Sequence, residues 1–185
     1  MFKSLLSLGR RPNAAVIDAL YAEIVAAARQ PVFYSDWNVP DNPLGRFEMV
    51  AVHMFLVLER ARGAGKGVAD MAQELTDEFF KDVEHSLREL GIGDLGVPKR
   101  MKRLARMFYG RAEAYRTGLL ADDPRDLEAA LARNVRPEAA AWPQAALLAA
   151  YMREAAALLA GQADDALLAG RLTFPRAASA AGEGT

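Results

Sequence analysis

The stretch FFKDVEHSLRELGIGDLGVPKRMKRLARMFYGR, Phe79 to Arg111, limits the possible folds more than any other part of the chain. Phe79, Val83, Leu87 and Leu90 recur three and four residues apart, so one side of an acidic helix is apolar and faces a core. Gly91 and Gly93 follow, and residues without a Cβ end a helix at little steric cost. Pro98 suits the first turn of the next helix, where its missing N–H would have found no partner anyway. In that helix Met101, Leu104, Ala105 and Phe108 form an apolar stripe, and Lys99, Lys102, Arg103 and Arg106 take the opposite side. The segment therefore predicts an acidic helix joined to a basic one through a glycine corner.

The charge of the whole chain is close to balanced, at −1. No global field drives it towards nucleic acid, and the information lies in how the charge is segregated. Between Asp70 and Glu89, Asp70, Glu74, Asp77, Glu78, Asp82, Glu84 and Glu89 stand against only Lys81 and Arg88. Between Val97 and Arg111, Lys99, Arg100, Lys102, Arg103, Arg106 and Arg111 stand against no acid. Such asymmetry builds either complementary faces inside a fold or a docking patch for an anionic partner.

Alanine is the commonest residue and the β-branched residues are thin, so helix is favoured over sheet. With 185 residues and 52% hydrophobic content, a single domain with one sizeable core is expected. There is no cysteine, which excludes disulfides, thiolate nucleophiles and cysteine metal sites. The longest apolar run, Phe47 to Leu58, is interrupted by Glu48 and His53 and falls short of the roughly 18–20 residues that cross a bilayer.

In chain order, Met1 to Pro12 carries Phe2, Leu5, Leu6 and Leu8 with Lys3, Arg10 and Arg11, a pattern for a frayed start or a weak interfacial anchor. Asn13 can cap a helix to about Arg29, with Val16, Ile17, Leu20 and Ile24 facing inward. Val32 to Pro43 reads as an ordered loop pinned by Phe33, Tyr34 and Trp37. Leu44 to Arg62 is apolar around most of its circumference and so predicts a central helix. Gly63, Gly65 and Gly67 should break the chain before a helix from Asp70 to Leu90. After the basic helix to Leu120, a short helix to Arg133 capped by Asp122 or Asp123 is expected, then an Ala/Leu-rich helix to about Leu159 and a short piece to Leu168. The expected division is an N-terminal segment 1–12, an all-α domain of about six helices over 13–172, and a flexible tail 173–185.

Catalytic chemistry finds little purchase. RGAGKG, from Arg62 to Gly67, lacks the spacing of a phosphate loop and follows no strand. No serine sits in a nucleophile elbow. The two histidines offer half a metal motif: Asp82 and His85 share a helix face, whereas His53 has only Glu48, five residues away. No cofactor and no metal are expected, and the rival reading is a helical haem or metal binder using His53 and His85. The basic helix is the best functional candidate, since bases backed by an apolar stripe can dock on phosphates, anionic lipid or an acidic partner.

The blocks YSDWNVPD (Tyr34–Asp41), LGRFEMVAVH (Leu44–His53), the opening stretch with its GDLGVPKRMK and FYGR, and AYR (Ala114–Arg116) resemble the ubiquinol–cytochrome c chaperone family, in order and over roughly residues 31–136. The resemblance implies an all-helical chaperone without enzymatic activity that assists assembly of the respiratory cytochrome bc complex. Its client would be newly made cytochrome b, held while haem is inserted and further subunits join. Mitochondrial members act with a small partner protein near the ribosomal tunnel exit, so the ribosome is a further expected partner, an anionic membrane surface another, and DNA none. An alanine-rich chain without an evident transit peptide suggests a bacterial member at the cytoplasmic face of the inner membrane, the matrix side being its mitochondrial counterpart. The candidate partner-binding residues are Lys99, Arg100, Lys102, Arg103, Arg106 and Arg111, with Trp37 and Tyr109 as apolar contacts. Asp41 and Arg46 join them, or else pair with each other and fix the loop. A general ribosome- or nucleic-acid-binding module is the second rival.

Overall fold

Residues 13–179 are described by the computed structural model, so the anchor expected over residues 1–12 lies outside the described residues. Among the described residues eight helices follow one another: α1 (Ala14–Ala28), α2 (Pro31–Ser35), α3 (Pro43–Ala61), α4 (Lys66–Glu89), α5 (Val97–Leu120), α6 (Arg125–Val135), α7 (Ala145–Ala160) and α8 (Asp164–Leu168). No strand occurs among the described residues, and the fold is all-α as expected. Two of the helices, α2 and α8, are short pieces of five residues.

The central role expected of α3 follows from its own composition. Apart from Val50, every residue from Glu48 to Val57 is buried. Helix α3 starts where Asn42 accepts a hydrogen bond from the Gly45 N–H at 2.9 Å and Pro43 fills the first turn. A Cβ on Gly45 would collide with the Pro40 carbonyl, so the chain can enter this helix only past a glycine. The other long helices pack on α3 and succeed one another along it, α1 on α4, α4 on α5, α5 on α6 and α6 on α7. The α5–α6 approach depends on Gly118, where a Cβ would stand 2.7 Å from the Leu127 Cα.

Several local expectations are corrected. Asn13 precedes α1 but makes no side-chain cap bond. Pro31 to Ser35 is a helical turn and not loop, because Pro31 sits at a position where its ring favours the helix. The glycine break is confined to residues 62–65, and Gly67 lies inside α4 against Leu168. Asp123, one of the two expected caps of α6, accepts a hydrogen bond from the Arg125 N–H at 2.9 Å.

The glycine corner is built by a specific device. Gly91 takes a positive φ of 79°, its N–H bonds the Arg88 carbonyl at 2.9 Å, and the Ile92 N–H bonds the Leu87 carbonyl at 3.2 Å. These two bonds close the last turn of α4 and turn the chain. The Gly96 N–H then bonds the Gly93 carbonyl at 2.7 Å, and Val97, 2% exposed, anchors the start of α5 in the core.

The tail expected to be flexible from residue 173 is instead held in place as far as residue 179. Phe174 packs edge-on to His53 at 5.0 Å between ring centroids. Gln30 donates to the Pro175 carbonyl at 3.1 Å and accepts from the Ala177 N–H at 2.8 Å. Ser179 donates to Asp36. One apolar anchor and one bidentate amide thus order a segment whose composition alone reads as mobile.

Candidate functional site

Helices α4 and α5 meet through aromatic rings and keep their charges apart. Phe79 and Phe80 of α4 lie 5.2 and 5.8 Å from Phe108 of α5, between centroids. Several acids of α4 pair with bases of the same helix, Asp70 with Lys66, Glu78 with Lys81 and Glu84 with Arg88, and Arg88 also reaches Asp94 in the corner. None of Lys99, Arg100, Lys102, Arg103 and Arg106 is in an ion pair with another described residue, and all five are exposed. The pairing of an acidic with a basic helix, which the sequence allowed, is not how these helices are joined.

The two remaining arginines of α5 turn towards α3. Arg111, 9% exposed, sits 2.6 Å from the Glu48 carboxylate of α3, itself 1% exposed. Burial pushes the Glu48 carboxyl up to about 7, against the pull of Arg111. Arg116 bonds Glu59 of α3 at 2.8 Å. Arg153 of α7 donates to the carbonyls of Gly118 and Leu119, both at 3.2 Å, and so satisfies the end of the helix. The first half of α5 thus displays its cations, and the second half spends them on α3.

Beside the displayed half lies an apolar groove of about 530 Å³. It is lined by Tyr21 of α1 and Arg29 just past its end, by Leu44, Arg46 and Phe47 of α3, by Val83 and Leu87 of α4 with Leu90 just past its end, and by Leu104 of α5. The α4 lining exists because the apolar stripe of α4 outruns the core. Phe79 and Val83 are buried, Leu87 is half-buried and Leu90 is 61% exposed. Tyr21 donates to Asp82 at 2.8 Å across the groove, and burial first, then that bond, raise the phenol far above its ordinary value, so it remains a neutral donor. Arg46 bonds Asp41 at 2.7 Å, as one of the two expectations for that pair had it.

Two sequence-predicted contacts prove to be interior residues. Trp37, 3% exposed, packs edge-on to Phe33 at 5.2 Å, and its carbonyl accepts from the Trp142 indole at 2.8 Å. Arg111 is held inside by Glu48, so neither side chain is a surface contact. Tyr109 stays 56% exposed, with its ring against Phe108. The groove leucines Leu44, Leu87, Leu90 and Leu104 were missed as site residues. A helical stripe reads as core whether or not a neighbour covers its far end.

His53 and His85 lie in different surroundings and are not brought together as a pair. His85 is exposed on α4 near Glu89. His53 is fully buried, with Nδ1 2.7 Å from the Met49 carbonyl and Nε2 2.9 Å from the Tyr151 hydroxyl. Burial lowers its pKa to about 4, so the ring is neutral, with Nδ1–H donating to the carbonyl and Nε2 accepting from the tyrosine. Both nitrogens are thereby occupied. Among the described residues no cluster of three metal-ligating side chains occurs.

A groove lined by leucines lies beside five cations that have no ion-pair partner among the described residues, on an all-α scaffold. Residues 35–174 match the ubiquinol–cytochrome C chaperone family, and the chain belongs to that family. It is 26% identical over 144 residues to the ubiquinol-cytochrome-c reductase complex assembly factor 1 of Xenopus laevis, covering 77% of this chain and 72% of the frog protein. Over 157 residues it is likewise 26% identical to the Mus musculus factor of the same name, covering 84% of this chain and 53% of the mouse protein. The crystal structure of the Cbp3 homolog from Brucella abortus superposes with a TM-score of 0.83 at 53% identity, over 88% of this chain and 90% of that one.

Proposed function

We propose that this chain is an assembly factor for ubiquinol–cytochrome c reductase that holds newly made cytochrome b and acts through binding, without catalysing a reaction. Membership of the chaperone family supports the complex, and the leucine-lined groove beside unpaired cations supports the mode of action. A segment of an integral membrane protein waiting for its cofactor and partners is apolar and prone to aggregate. A groove formed by Leu44, Leu87, Leu90 and Leu104 can cover such a segment, and neighbouring cations can hold its acidic or phosphate-flanked ends. Among the described residues no helix is long and apolar enough to cross a membrane, so the proposed place of work is peripheral, on the cytoplasmic face of a bacterial inner membrane or the matrix side in a mitochondrion.

The observation that carries the reading is the groove and the free cations side by side on one surface of a family member. Photo-crosslinkers placed at Leu44, Leu87 and Leu104 in the tagged full chain, followed by mass spectrometry of the captured proteins, test it. Cytochrome b is expected at all three positions and not from Thr117, exposed near the far end of α5. Recovery of only soluble proteins at these sites would sink the client assignment. The five unpaired cations also favour a ribosomal contact near the tunnel exit, and crosslinks from Lys99 to ribosomal RNA or proteins would mark it.

A further inference from the structure

Leu95 is 100% exposed, more than any other large apolar side chain of the described residues, and it stands at the α4–α5 corner with Leu90 near the other end. A solitary exposed leucine is ordinary. This one is held out on a turn fixed from both sides, by the Gly91 cap that closes α4 and by Val97 buried under the start of α5. In sequence it also lies within about three helical turns of Lys99, Arg100, Lys102, Arg103 and Arg106, none of them in an ion pair with another described residue. The acid of the corner, Asp94, is already engaged by Arg88 at 3.3 Å.

Nucleic acid would use such cations and have no need of the leucine. A bilayer interface uses both, since phosphates attract the bases and the acyl boundary takes the apolar tip. The geometry also says which part enters. The apolar stripe of α5 is spent on the core through Met101, Leu104 and Phe108, so the helix cannot lie with that face in lipid. Between the described α4 and α5 it is the corner that can penetrate, with the cations left at headgroup level.

We propose that the α4–α5 corner docks on an anionic bilayer, with Leu95 entering the interface and the cations of the first turns of α5 resting on lipid phosphates. This deepens the peripheral placement proposed above and rests on it. Leu90 and Leu104 belong to the groove as well, so docking of the corner would bring the groove to the membrane surface, where a client segment emerges.

Flotation of the full chain with phosphatidylcholine vesicles, with and without phosphatidylglycerol, tests the proposal. Binding is expected only to the anionic vesicles, and it should weaken as salt rises. Each cation changed to alanine should lower partitioning about five-fold, and Leu95→Ala about ten-fold. In Leu95→Trp the emission should shift to the blue on anionic vesicles, whereas Trp37 and Trp142 are buried and contribute a constant background. Because these positions are exposed, the variants should melt with the parent chain, and a matched melting curve keeps the comparison interpretable. Equal binding to neutral and anionic vesicles overturns the proposal. So does a Leu95→Ala chain that floats as well as the parent, or a charge-reversed chain that still floats and fails only on RNA. Cytochrome b capture in detergent, with no bilayer present, separates the two readings. Capture retained by Leu95→Ala while its flotation is lost supports the docking role, and flotation without capture in the parent chain would overturn the client assignment and leave the docking intact.

Discussion

The two halves of α5 carry similar residues and use them in opposite ways. Arg111 and Arg116, in the second half, reach across to Glu48 and Glu59 of α3 and help fix the helix to the central one. Lys99, Arg100, Lys102, Arg103 and Arg106, in the first half, reach nothing among the described residues. A cation turned inward must be matched, because an unpaired charge in the interior is costly, whereas a cation left in water costs almost nothing and remains available to a partner. The helix is therefore a structural strut at one end and a contact surface at the other.

The largest effect should come from breaking the buried end. Arg111→Ala leaves the Glu48 carboxylate alone in the core and should destabilise the chain by about 3–5 kcal/mol, read as a drop in the urea midpoint. The loss should be greater at pH 8 than at pH 5, because a protonated carboxyl is cheaper to bury than a charged one. In the parent chain the carboxyl at about 7 lies above its ordinary value, so the stability it lends is complete at low pH and falls as pH rises through 7. Equal losses at both pH values would show that Arg111 acts by packing and not by charge.

Acid sharpens the same contrast at the aromatic end. His53 has a folded pKa of about 4, below its ordinary 6.5, so the unfolded chain takes up its proton first and stability should fall as pH drops from 6.5 towards 4. The loss is on the order of 3 kcal/mol. His53→Gln should flatten that slope, and a slope unchanged in the variant would assign it to other groups. Next in size, Arg116→Ala should cost about 1 kcal/mol, since its partner Glu59 is only partly buried. Smallest of all, Arg103→Ala should stay within about 0.5 kcal/mol of the parent while weakening partner capture. A marked loss of stability there would mean that the displayed half is also structural.

The order and type of the long helices were legible because their apolar residues recur at helical spacing and because Gly91 and Pro98 punctuate them. The family was legible from blocks that include the same corner. The described part of the tail was not, since RAAS, residues 176–179, contains nothing that announces Gln30 as its clamp. Nor was the division of α5, because Arg106 and Arg111 look alike in sequence and differ only in whether Glu48 lies opposite. Trp37 is a related case. An aromatic among turn formers reads equally as plug or contact, and Phe33 with Trp142 makes it a plug. The groove was hidden for the converse reason, as Leu87 and Leu90 continue the stripe of Phe79 and Val83 in sequence while burial falls away along it.

The most direct test of the proposed role is pulse labelling in the native cell with the chain deleted, following newly made cytochrome b and the assembled ubiquinol–cytochrome c reductase over time. The account predicts that cytochrome b is lost before it enters the complex, and that the parent chain restores it. A chain with Lys99, Lys102, Arg103 and Arg106 all changed to Glu should not restore it despite normal folding. Full assembly of the complex in the deleted cell would contradict the account.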